Sequence, residues 1–85
     1  MTMQMYWEIE PGPSASQEVD DIDAAIRALY MTADRARKRV PASASDLAES
    51  VTAMAARMLT DGARMMHNGL SWSATEGSVR VTLTP

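Results

Sequence analysis

Near the C-terminal end, two alternating runs, Leu70–Thr75 and Ser78–Thr84, flank Glu76-Gly77, a spacing that predicts a β-hairpin. Folding about Glu76-Gly77 sets Thr75 opposite Ser78, Ala74 opposite Val79, Trp72 opposite Val81 and Leu70 opposite Leu83. Every apolar residue then lies on one face, and Ser71, Ser73, Thr75, Arg80, Thr82 and Thr84 lie on the other. Strand side chains alternate with period two, so a slip of one residue would mix the faces and is disfavoured. A ribbon with one apolar face must be covered by a second layer, and the rest of the chain has to supply it.

Residues 2–10 alternate in the same way, with Met3, Met5, Trp7 and Ile9 on one side and Thr2, Gln4, Tyr6, Glu8 and Glu10 on the other, which predicts a first strand. Pro11-Gly-Pro13 ends it, because proline donates no ladder hydrogen bond. A helix is expected over 15–39, capped by Ser14 or Ser16, with Ser14 and Gln17 at capping-box spacing and a stripe of Val19, Ile22, Ile26, Leu29 and Ala33. Pro41 stops it. A second helix is expected over 45–67, capped by Ser43, Ser45 or Asp46, with the stripe Leu47, Val51, Met54, Met58 and Met65. Gly62 within it marks a break or a close contact, and Asn68-Gly69 supplies the left-handed cap.

The expected fold is therefore α+β: a two-layer sandwich in the order β-α-α-β-β, with a three-stranded sheet packed on an antiparallel helix pair, all in one domain over 1–85. Counting directions, the first strand should run antiparallel to strand 70–75 and parallel to strand 78–84. The order of the strands is left open.

A chain of 85 residues buries only about 60% of the surface its unfolded form exposes, so its stability margin is thin. It has no cysteine and no zinc-ligand cluster, which leaves self-association or a partner as the remaining source of burial. Acidic Glu8 and Glu10 near the N-terminus and the lack of a long apolar run predict a soluble, cytoplasmic protein. Arginine dominates the eight basic residues and alanine is abundant, a usage associated with GC-rich bacterial or phage genomes. The formal charge of −3 argues against non-specific binding to nucleic acid or anionic membrane.

Five features carry candidate chemistry. The basic cluster Arg35, Arg37, Lys38 and Arg39 is a candidate nucleic-acid contact. It also sits where the last turn of a helix opened by Glu18, Asp20 and Asp21 favours cations, and that plainer reading is preferred. Asp23 with Arg27 adds an i,i+4 pair. Asp20 and Asp23 share a helix face, but no second carboxylate pair completes a cation site. His67 is the sole histidine and its place at a helix end is structural, while Ser71 and Ser73 lack a nucleophile elbow. Methionine is frequent: Met54 and Met58 read as core, whereas the adjacent Met65 and Met66 cannot both face one core and are candidate interface. Finally, the sheet face with Thr2, Gln4, Tyr6, Ser71, Ser73, Thr75, Arg80, Thr82 and Thr84 is polar and nearly uncharged, unlike an ordinary solvated face.

These features favour a non-enzymatic protein–protein interaction module. It is expected to form a homodimer and to act by binding another protein in a regulatory, adaptor or phage-accessory role, with Tyr6, Ser71, Ser73, Arg80, Thr82, Met65 and Met66 as candidate interface. The alternative is a nucleic-acid accessory protein using Arg35, Arg37, Lys38 and Arg39. No cofactor, metal or membrane is implied.

Overall fold

A computed structural model describes residues 2–10, 14–37 and 44–85. Strand β1 (Met3–Ile9) is followed by β2 (Ser14–Val19), helix α1 (Ile22–Arg37), helix α2 (Ala44–Arg57), a π-helical turn (Met58–Gly62), helix α3 (Ala63–His67), and strands β3 (Trp72–Glu76) and β4 (Val79–Thr84). The class is α+β, with a sheet covered on one face by helices. Among the described residues the sheet has four strands in the order β2-β1-β4-β3, each pair antiparallel.

The fourth strand corrects the expected three-stranded sheet and the helix over 15–39. Ser14 and Ser16 do not cap a helix; they lie on β2, opposite Glu8 and Tyr6. The cap falls at Asp21, whose Oδ1 accepts from the Ala24 backbone N–H at 2.8 Å. The extra strand also reverses the direction of everything after it. β4 consequently runs antiparallel to β1, not parallel as a three-strand count requires. Pro11–Pro13, Lys38–Pro41 and Ser43 lie outside the described residues.

The stretch expected as one helix over 45–67 is helical throughout, with a π turn inserted at Met58–Gly62. Of the expected stripe, Leu47, Val51, Met54 and Met58 are buried in the core, while Met65 is only half-buried at its edge. Gly62 marks a close contact, since a Cβ there would stand 3.3 Å from Leu83 Cδ1 and 3.4 Å from Trp72 Cε3. The helical segment closes in a Schellman motif. Gly69, at φ +71°, donates its N–H to Met66 O at 3.0 Å, and Leu70 N–H reaches Met65 O at 2.9 Å.

The closing hairpin forms with its turn one residue later than expected. Trp72 pairs with Leu83, Ala74 with Val81 and Glu76 with Val79, so the loop is Gly77-Ser78 with Gly77 at φ +57°. Each partner shifts by two, which preserves the faces. Leu70 is left outside the ladder, half exposed, because the helix cap has already engaged its N–H.

Below the helices, Met5, Ile9, Val79, Val81 and Leu83 of the sheet meet Leu29, Val51, Met54 and Met58, all nearly or wholly inaccessible to solvent. Helix α1 packs on β1 and β2, and α2 packs on β3 and β4. Coverage runs out at the β2 edge. Ala15 and Gln17, which share the helix-facing side with Trp7 and Met5, are exposed, and only Val19 of β2 is buried.

Candidate interaction surfaces

The side of the sheet away from the helices is organised in rows by the strand register. One row runs Ser16–Tyr6–Thr82–Ser73 across all four strands and carries no charge. The next runs Ser14–Glu8–Arg80–Thr75, placing the Arg80 guanidinium strand-opposite the Glu8 carboxylate. A third runs Glu18–Gln4–Thr84. Tyr6, 39% exposed, donates its hydroxyl to Glu8 Oε2 at 3.2 Å, which lays the ring along its own strand. Ser73, Arg80 and Ser71 are exposed and Thr82 is half-buried. The structure thus gathers Tyr6, Ser73, Arg80 and Thr82 on one face, and adds Ser14, Ser16 and Glu18 from a strand whose alternation is nearly silent in the sequence.

That strand is also an open edge. Among the described residues, β2 pairs only with β1, and its first five residues are exposed. Proteins ordinarily protect such an edge with lysine, proline, a bulge or a covering element. β2 carries none of these residues between Ser14 and Val19, and its one charge is Glu18.

Met65 and Met66 are both half-buried and pack on the periphery of the core. Met66 also lines an open cleft of about 380 Å³ together with Met3, Asp20, Asp21, Ile22, Asp23, Leu59, Ala63 and His67. The acidic residues and the histidine, far apart in sequence, therefore meet at one concavity. Asp20 precedes α1 instead of sharing a helix face with Asp23. Among the described residues, no group of three or more His, Cys, Asp or Glu side chains is disposed to hold a metal ion. No polar or charged residue among them is buried.

The basic cluster is divided. Arg35 is exposed on α1, Arg37 is the last residue of that helix, and Lys38 and Arg39 lie outside the described residues. Asp23 and Arg27 form no ion pair with each other; between described residues, Arg57 pairs with Glu76 and Arg64 with Asp61. No helix among the described residues is long and apolar enough to cross a membrane. The chain matches no protein-family model, no curated protein and no solved structure.

Proposed function

We propose that this protein is a non-enzymatic protein-interaction module that dimerises by pairing β2 with β2 of a second copy and acts by binding another protein. The unprotected β2 edge carries the reading. Among antiparallel two-fold registers, one sets Ser16 opposite Ser16 of the second copy, Ala15 opposite Gln17 and Ser14 opposite Glu18, using the positions of β2 alone. It keeps the two Glu18 carboxylates apart, whereas a register centred on Glu18 would oppose them. The uncharged Ser16–Tyr6–Thr82–Ser73 row would then continue through the dyad into its copy, giving an eight-stranded sheet with one unbroken polar face.

The magnitudes favour a weak dimer. Each added backbone hydrogen bond contributes about 0.5–1.5 kcal/mol net, while association costs roughly 4–15 kcal/mol. For an edge of six residues the backbone bonds alone leave at most about 5 kcal/mol net, a dissociation constant of about 0.2 mM or weaker. A cytoplasmic setting, expected for a cysteine-free acidic chain, belongs to the same reading.

The test is sedimentation equilibrium on the wild type and on Ser16→Lys, with circular dichroism verifying the fold. Ser16 is exposed, and two lysines facing each other across the dyad repel. The wild type should sediment as a concentration-dependent dimer and the variant as a monomer. A wild type that stays monomeric at millimolar concentration would contradict the proposal.

A further inference from the structure

The open cleft between the start of α1 and the π turn combines two properties that together specify a ligand. Its walls are apolar: Met3 from β1, Ile22 from α1, Leu59 and Ala63 from the π turn and α3, and Met66. Leu59 is 57% exposed although it is a large aliphatic residue in a helical segment. The π turn holds it there. Met58, immediately before it, is fully buried, and the closely packed Gly62 fixes the other end of the turn against Trp72 and Leu83.

The rim is acidic. Asp20, Asp21 and Asp23 line one side, and His67 is the only nitrogen base among the described lining residues. Asp21 is engaged in capping the Ala24 N–H, whereas Asp20 and Asp23 are exposed and make no ion pair. Such a rim repels acidic peptides and anionic lipid surfaces and attracts cations. Flexible Met3 and Met66 suit a wall that adapts to different aliphatic shapes.

We infer that this cleft docks a cationic amphipathic segment of a partner protein, with an aliphatic side chain on Leu59, Met3 and Met66 and flanking Arg or Lys on Asp20 and Asp23. The inference rests on the interaction-module reading, for which it names the partner's chemistry. It does not depend on the β2 edge.

The experiment is a calorimetric titration with a designed helical peptide bearing leucine along one face and arginine beside it, and with the same peptide carrying glutamate for arginine. The wild-type protein should bind the arginine peptide and reject the glutamate peptide. Leu59→Ser should weaken binding about tenfold. Asp20→Asn with Asp23→Asn should weaken it by a similar factor and flatten its salt dependence. Both changes fall on exposed side chains outside the helix cap, and circular dichroism confirms folding. Equal binding of the two peptides, unchanged affinity in both variants, or no binding to the wild type at millimolar peptide would each overturn the inference. A cleft that fails while the wild type still dimerises refutes this inference alone; a wild type that binds the arginine peptide but remains monomeric refutes the dimer alone.

Discussion

Arg57, the last residue of α2, reaches over the rim of the sheet to Glu76, the last residue of β3, with Nη1 3.1 Å from Oε1. It is a tie between the helical layer and the closing hairpin, made where both side chains are partly shielded, at 43% and 31% exposure. A pair of this kind exceeds a fully exposed one only modestly. In a double-mutant cycle with Arg57→Ala and Glu76→Ala, chemical denaturation should give a coupling of about 0.5–1 kcal/mol that shrinks in high salt. A coupling near zero would mean that the tie follows from the packing instead of helping to hold it.

The same corner holds a steric constraint. Gly77 sits at φ +57°, and a Cβ at that position would collide with Ser50 Oγ of α2. Gly77→Ala should cost about 1–2 kcal/mol from the backbone conformation alone, and more from the clash. Adding Ser50→Ala should return the steric part and leave the conformational part, because the Ser50 Cβ stands 3.4 Å away, at ordinary contact distance. Thermal unfolding of the wild type, the single variant, the double variant and Ser50→Ala alone separates the two contributions.

Trp7 is 8% exposed and its indole N–H finds no hydrogen-bond partner among the described residues. A buried donor left unmet costs about 1–3 kcal/mol, which offsets part of what the ring contributes by burial. Trp7→Phe should therefore change stability by less than about 1 kcal/mol, while Trp7→Ala should cost about 3–5 kcal/mol by opening a cavity. Denaturant midpoints measured for both variants check this contrast.

Legibility in the sequence followed the hydrophobic pattern. Residues of β1, α2 and β4 lie against a covering layer on one side and open to solvent on the other, so Met5, Trp7 and Ile9, or Val79, Val81 and Leu83, reveal their period directly. β2 buries only Val19, because the helices stop short of the edge, and its strand character comes from the backbone ladder to β1. Backbone hydrogen bonds leave no mark on side-chain polarity, and Ser14 with Gln17 imitates a helix cap. That one missed strand accounts for the error in strand direction. The hairpin register was offset for a related reason: both Glu76-Gly77 and Gly77-Ser78 are acceptable loops with the same faces, and the contact of Gly77 with Ser50 is visible only in three dimensions. The polar face could be read from β1 and β4. Its fourth column, and the meeting of Asp20 and Asp23 with His67, required the fold.

The dimer proposed above joins two copies at the exposed edge of β2. Amide hydrogen exchange across β2, recorded at protein concentrations below and above the sedimentation midpoint, measures this directly. On the present account, N–H groups of Ser14–Val19 that do not bond to β1 gain protection as concentration rises, while exposed amides at the other edge, in β3, do not. Unchanged exchange in β2 at a concentration where the protein is dimeric would place the interface elsewhere and contradict the account.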